Sequence, residues 1–183
     1  EWLEFKLNYL SPENIAKDIS ALSNGAALYG KPFGYLIFGV DDSTHDVKGT
    51  SYSYRKEKKG NEELESWLNR MINPDINFKF YEFNYNENTK VLIIEIPAAY
   101  KVPTRFEGES YIRIGSNTKN IKTSQEKEKE LWASFNMVRF ENKPSNNQQL
   151  NFSYLKEKLK EKGRDFNKNS LSTLRLLTEN GMY

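Results

Sequence analysis

The sequence lacks cysteine entirely and contains a single histidine, His45. These absences exclude disulfide bonds and cysteine-ligated zinc, so carboxylates are the side chains left to bind a metal ion. No apolar run approaches the roughly 18 residues of a membrane-spanning helix, and no charged segment leads into an apolar one as in a secretory signal. We therefore expect a cytoplasmic protein with no membrane partner.

Two further absences narrow the range of possible functions. No glycine-rich run ends in Gly-Lys-Ser or Gly-Lys-Thr, so the chain lacks the phosphate-binding loop of ATPases and GTPases. The net charge is only +2 in 183 residues, whereas nucleic-acid-binding domains are usually far more basic. Binding of nucleic acid would therefore depend on local basic segments, such as 55–59 and 101–122. Two solvated loops are the competing interpretation of these segments.

What the chain does contain is a short apolar run, 35–38, that lies between two glycines and is soon followed by Asp41 and Asp42. Its length and its apolar residues favour a strand that is covered on both faces over a helix. The first seven residues alternate instead, which predicts a strand with Leu3, Phe5 and Leu7 on the core face. Glu4 and Lys6 are then expected on the opposite face.

The remaining segments predict a mixture of helices and strands. A helix starts at Ser11-Pro12 and is expected to stop at Asn24-Gly25, and a second helix buries a stripe that includes Trp67. Segments 78–83 and 91–96 predict a hairpin, and 111–115 one more strand. A later helix is expected to bury Leu131, Trp132 and Phe135. The predicted class is α+β, with helices on a mixed central sheet and a short helical C-terminal extension.

The order of these segments resembles the Schlafen AlbA_2 domain. Five pieces carry the resemblance over roughly residues 1 to 135: EWLEFK, ISALSNGAAL, GYLIFGVDD, GNEELESWL and YIRIGS. The resemblance implies a nucleic-acid-binding domain, usually described as DNA-binding. It also implies that the domain stands at the front of bacterial multidomain proteins that resemble transcriptional regulators.

Some proteins of this family, the animal Schlafen proteins, cleave RNA with a metal ion that acidic residues hold. In this chain Glu4 matches the glutamate of their EFK motif, and Asp41 or Asp42 matches the acid after their GVD strand. The resemblance thus implies an alternative, a nuclease that needs Mg²⁺ or Mn²⁺ at Glu4 and Asp41 and no other cofactor. The residues leave another interpretation open, in which Glu4 pairs with Lys6 or another base and the aspartates cap a turn. Whether the chain is an enzyme stays undecided by its sequence.

For binding without cleavage, the candidate contacts are the basic and aromatic residues Lys6, Arg105, Tyr111, Arg113, Lys119 and Lys122. Arg113 is the strongest of these, because an arginine beside an aromatic residue on a short strand suits bidentate contact with phosphate. An ion pair with Glu4 or Glu95 is its competing interpretation. A third function also stays open, in which the domain binds another protein or pairs with a second copy as a homodimer.

The chain is expected to contain one domain and part of another. Polar residues at 141–149, including Pro144, predict a linker after a first domain of residues 1–140. Segments 150–162 and 171–177 have helical patterns, and the second ends at Asn180-Gly181. Because 150–183 contains too little apolar surface to fold alone, we interpret it as the helical start of a truncated C-terminal region.

Overall fold

The computed structural model describes residues 2–137 and 153–163, and the chain divides into two compact units, 1–136 and 137–183. The second unit contains one described helix, α4, at Ser153–Glu161, within the helix predicted for 150–162. The predicted linker and the predicted helix at 171–177 lie outside the described residues.

The elements of the first unit are β1 Leu3–Lys6, α1 Pro12–Leu28, β2 Phe33–Phe38, β3 Lys58–Lys59, β4 Glu62–Glu63, α2 Leu64–Met71, β5 Ile72–Asn73, β6 Lys79–Asn86, β7 Thr89–Pro97, β8 Arg105–Phe106, β9 Glu109–Ile114, β10 Asn117–Asn120 and α3 Gln125–Met137.

The first sheet has the strand order β1-β2-β7-β6, with β1 parallel to β2 and the other neighbours antiparallel. This sheet is mixed, and α1 packs on one of its faces, so the predicted α+β class is confirmed. The hairpin of β6 and β7 is confirmed as well. Gly34 permits the close approach of α1, because a Cβ at this position would lie 2.6 Å from the carbonyl oxygen of Leu22.

Helix α1 begins as predicted but ends later. The Ser11 hydroxyl caps it by accepting a hydrogen bond from the amide of Asn14, with Pro12 in the first turn. The predicted stop at Asn24-Gly25 is wrong, since the helix continues to Leu28. Asn24 is fully buried and bonds the backbone just before β8 and within β9: its amide nitrogen donates to the carbonyls of Thr104 and Tyr111, and its oxygen accepts from the Thr104 amide.

The second sheet has the order β10-β9-β8-β5 and lies against α1 on the side of β9. Leu131 of α3 is fully buried against Ile112 of β9, as predicted. Trp67 of α2 is also buried and contacts Phe106 edge to face. Trp132 was expected in the core, but 41% of its surface is exposed, so that prediction is wrong. Helix α3 buries mainly the side that carries Leu131, and the next residue along the helix points about 100° away.

Candidate nucleic-acid interface

Glu4 lies on the helix-covered face of the first sheet, so the face predicted from the alternation of β1 is wrong. Glu4 pairs in register with Leu36 of β2, which is fully buried on the face that α1 covers. Residues in register share a face, and only 3% of the surface of Glu4 is exposed, whereas Leu3 and Leu7 are exposed. The covered face is set by β2, and β1 must follow it through its pairing.

The carboxylate of Glu4 contacts two cations. Its Oε2 forms an ion pair with Nη2 of Arg113, and its Oε1 accepts a hydrogen bond from Nζ of Lys6 at 2.5 Å. The Arg113 side chain is 6% exposed, so its charge is as buried as that of its partner. Arg113 was interpreted either as a phosphate contact or as an ion-pair partner, and in the structure it forms the ion pair with Glu4. The alternative pairing of Glu4 with Lys6 or another base is also present.

A helix and a neighbouring strand complete this cluster. Nη1 of Arg113 donates to the Thr118 hydroxyl at 3.1 Å, and that hydroxyl donates to Oδ1 of Asp18 on α1 at 2.5 Å. The Nη1 atom lies 4.0 Å from the same Asp18 oxygen. We call Glu4, Lys6, Asp18, Arg113 and Thr118 the Arg113 network. It joins β1, α1, β9 and β10, because each of these elements contributes at least one member.

Burial dominates the electrostatics of the two acids in the network. Loss of solvent raises the pKa of Glu4 above its ordinary value, although Lys6 and Arg113 act in the opposite direction. Burial likewise raises the pKa of Asp18, against the hydrogen bond from Thr118. The Nε atom of Arg113 is buried and has no hydrogen-bond partner among the described groups. The network is therefore a buried charge cluster whose ions are paired but incompletely solvated.

Asp41 and Asp42 lie elsewhere, in the exposed turn after β2. Oδ1 of Asp41 accepts hydrogen bonds from the backbone amides of Ser43 and Thr44, at 3.0 and 2.9 Å. These bonds hold the pKa of Asp41 below its ordinary value. Asp42 is exposed. Asp41 therefore caps its own turn, which was the interpretation offered as an alternative to metal binding.

The residues present do not fit the metal site that the resemblance implies. Both oxygens of Glu4 are already bonded to cations, and the bonded oxygen of Asp41 is taken by its own turn. Within residues 2–137 and 153–163, no three His, Asp or Glu side chains are grouped as a metal site requires. Metal ligation by Glu4 and Asp41 would require both residues to leave their present partners.

The other predicted contacts are more accessible, and they lie on or next to the second sheet. Lys119 of β10 is exposed, Arg105 of β8 is half-buried, and neither has an ion-pair partner in the described part of the chain. Lys122 is exposed and its Nζ donates to Oε1 of Glu109 at 2.8 Å. We call Arg105, Lys119 and Lys122 the basic group. Lys6 belongs to the Arg113 network instead.

Tyr111 is half-buried, and part of its aromatic surface is already in contact. The Nζ atom of Lys17 lies 5.9 Å from the ring centroid, and the ring packs against the main core. A base could therefore stack on Tyr111 only over the part of the ring that remains open. Lys17 was not singled out in the sequence, and register puts Tyr111, over which it lies, on the face of β9 opposite the one that Arg105 and Lys119 share.

Asp18 is the site residue that the sequence analysis missed. Its position gave a usable signal, because Asp18 falls on the same helical stripe as Ile15, Ile19 and Leu22, all fully buried. A carboxylate within an apolar stripe needs a partner from another element. What the sequence could not supply is the identity of that partner, Thr118, which comes from far along the chain.

Comparisons with known proteins give one family match. The family model described as Schlafen, AlbA_2 matches residues 1–122, more than half of the chain. No curated protein matches. The crystal structure of the DIP2311 protein from Corynebacterium diphtheriae is similar over 98% of this chain, with 15% sequence identity and a TM-score of 0.46. The similar region is 33% of that protein, so the present chain spans about a third of its length.

Proposed function

The chain belongs to the Schlafen AlbA_2 family, and we propose that its residues 1–122 bind nucleic acid through the basic group. We propose DNA as the nucleic acid that is bound, because domains of this family are usually described as DNA-binding. We further propose that the protein is bacterial and cytoplasmic and that it resembles a transcriptional regulator. Among the described residues no helix has the length and apolarity needed to span a membrane.

The observation that carries this proposal is the exposed, unpaired charge of Lys119. A lysine whose charge is not matched by a nearby carboxylate is free to contact phosphate without first breaking an ion pair. Lys119 has no such carboxylate within the described residues; Arg105 forms no ion pair there, although its charge helps to lower the pKa of Glu109. Arg113 has no part in the proposal, because burial and its bonds to Glu4 and Thr118 keep it from solvent.

Register places Arg105 and Lys119 on one face of the second sheet. Arg105 pairs with Ser110, and Lys119 pairs with Ile112, which is two residues further along the same strand. Their strands are separated by β9 and their partners on β9 are two residues apart, so the two side chains start about 12 Å apart. This spacing is close to the Debye length at about 0.1 M salt, so the two charges attract a phosphate backbone together.

Lys122 makes a weaker contribution because it already has a partner. Its side chain is 65% exposed, and its ion pair with Glu109 holds the pKa of Glu109 below the ordinary value. A phosphate must compete with this carboxylate for the ammonium group. An exposed pair of this kind contributes little to stability, so nucleic acid can displace Glu109 at small cost.

The salt dependence of binding tests the proposal. We expect a short DNA duplex to bind with a modest slope of log K against log salt, since each phosphate contact contributes about 0.9. The double variant Arg105→Gln, Lys119→Gln removes two charges and keeps most of each apolar stem. It should lower the slope by about 2 and weaken binding to all sequences alike. Fluorescence anisotropy across a salt series measures both effects.

The second basic segment offers a matched control. Lys56→Gln with Lys58→Gln also removes two exposed positive charges, from the separate basic segment 55–59. If this control lowers the slope and the first variant does not, the binding surface lies at 55–59. If neither variant changes binding, or if neither DNA nor single-stranded RNA binds at low salt, the proposal is wrong.

A further inference from the structure

Strand β6 forms an uncovered edge of the first sheet. It is the last strand in the order β1-β2-β7-β6, and it is eight residues long without proline. Among the described residues, the ladder partner of β6 is β7, so its outer backbone groups face away from the sheet. Proteins usually protect such edges with prolines, charges or covering elements. In β6 the protecting features are Lys79 and a register shift between Asn84 and Asn86, and the stretch between them is free to pair with another strand.

The side chains of β6 are aromatic on the face that α1 does not cover. Tyr81 and Phe83 are both exposed on this face, and Tyr85 follows them. In register beside Tyr81 and Phe83 lie Ile93 and Val91 of β7, so the aromatic edge continues an apolar sheet face. Lone apolar residues at a surface are common, but a contiguous row on an open edge indicates an interaction surface.

The charges at the two ends of β6 are complementary in a pair of antiparallel copies. Lys79 opens the strand, in register beside Glu95 of β7, and Glu87 comes directly after the strand; neither Lys79 nor Glu87 forms an ion pair within 4.0 Å among the described residues. An antiparallel pair of β6 strands brings the first end of one copy to the second end of the other. Lys79 of each copy then meets Glu87 of its partner copy. A parallel pair would place like charges together.

We propose that two copies of this chain pair antiparallel through β6, around a two-fold axis at Phe83. This register follows from the charges, because Phe83 is the midpoint between Lys79 and Glu87. It sets Phe83 opposite Phe83 and Tyr81 opposite Tyr85, so aromatic residues meet aromatic residues. The contact is isologous and closes after two copies.

A neighbouring register is less favourable for an electrostatic reason. An axis at Glu82 would place this carboxylate directly opposite its own copy, and Glu82 already pairs with Lys90 at 3.0 Å. In the register centred on Phe83, Glu82 faces Asn84 instead. The β6–β7 ladder shifts register between Asn84 and Asn86, which leaves Tyr85 as the extra residue of a bulge near the end of the strand. The proposal does not depend on nucleic-acid binding.

Single-cysteine cross-linking tests the axis, because the natural chain contains no cysteine. Directly opposite residues in an antiparallel pair have Cβ atoms about 4.5–5.5 Å apart, within reach of a disulfide after slight adjustment. Phe83→Cys in the 183-residue chain should therefore form a covalent dimer under mild oxidation. Val102→Cys is the matched control, since the two side chains are similarly exposed, at 44% and 41%. Equal cross-linking of both variants overturns the proposal.

Charge reversal tests the register independently. Lys79→Glu and Glu87→Lys should each weaken association about tenfold, because the two-fold axis repeats the altered pair twice. The double reversal should restore the wild-type constant. Sedimentation equilibrium across a concentration series measures association, and circular dichroism checks the fold of each variant. A monomer at every concentration, single reversals without effect, or a double reversal that fails to restore association would each overturn the proposal.

Discussion

Thr118 and Lys119 are neighbours on β10, yet they belong to opposite environments. The hydroxyl of Thr118 lies between Arg113 and Asp18 in the buried Arg113 network. The ammonium group of Lys119 is exposed and belongs to the basic group. The sequence analysis placed Arg113 and Lys119 in one candidate surface. Register sets Thr118 beside Arg113 and Lys119 beside Ile112, on opposite faces of β10, and both of these β9 residues are buried. The contacts that each side chain makes, and not its face alone, therefore decide whether it is buried.

The energetic consequences of the two environments also differ. Removing one partner from a buried ion pair leaves the other charge without compensation, which is costly. Removing an exposed, unpaired charge changes the free energy of unfolding by about 0.5 kcal/mol or less. The Arg113 network should therefore respond to mutation through stability, and the basic group through binding. The predictions below separate these two responses.

The largest expected effect is that of Arg113→Ala. It leaves Glu4 buried beside Lys6 alone and removes the link to Thr118, so unfolding should become easier by about 3–5 kcal/mol. Urea unfolding at neutral pH measures this loss. Lys119→Ala on the adjacent strand is the control and should stay within about 0.5 kcal/mol of wild type. Equal stability of both variants would contradict the contrast between the two regions.

A smaller effect is expected for Glu4→Gln. The amide oxygen can still accept one hydrogen bond, but the charge that balances Arg113 is lost, so we expect a cost of about 2 kcal/mol. Because the oxygens of Glu4 are already occupied, millimolar Mn²⁺ should leave the melting temperatures of wild type and variant unchanged. Differential scanning fluorimetry checks this. A manganese-induced rise in wild type that Glu4→Gln abolishes would establish a metal site and favour the nuclease alternative.

The sequence was sufficient where a pattern depended on neighbouring residues. The apolar stripe of α2 predicted the burial of Trp67, and alternation on both sides of a polar turn predicted the hairpin of β6 and β7. It was insufficient where contacts with segments distant in the sequence determine the local structure. Asn24 looks like a helix stop, yet it continues α1 because the backbone at Thr104 and Tyr111 bonds its amide.

The same limit explains the candidate site. Alternation in β1 showed that Glu4 and Lys6 share a face, but the pairing with β2 decided that this face is the covered one. The burial of Glu4 costs less because Arg113 of β9 forms an ion pair with it. No local sequence pattern predicts that contact. The turn cap of Asp41, in contrast, is local and was among the interpretations that the sequence left open.

The smallest effect concerns Asp18, and it depends on pH. Burial raises the pKa of Asp18 in the folded chain above the ordinary value of 3.8 that applies when the chain is unfolded. Between these two values the folded protein binds the proton and the unfolded chain does not. Stability from this group is therefore fully present below the unfolded pKa, and it is lost as pH rises through the folded pKa.

Asp18→Asn removes this titration and keeps an oxygen that can accept from the Thr118 hydroxyl. At neutral pH the variant should unfold within about 1 kcal/mol of wild type. As pH falls from neutral towards the ordinary carboxyl range, wild type should gain stability relative to Asp18→Asn, because only wild type can take up the proton. Urea unfolding at several pH values measures this difference, and Asp42→Asn reports the effect of losing one surface charge. If wild type instead loses stability relative to Asp18→Asn on acidification, Asp18 is stabilised as an ion by Arg113, and burial is not the dominant influence in the network.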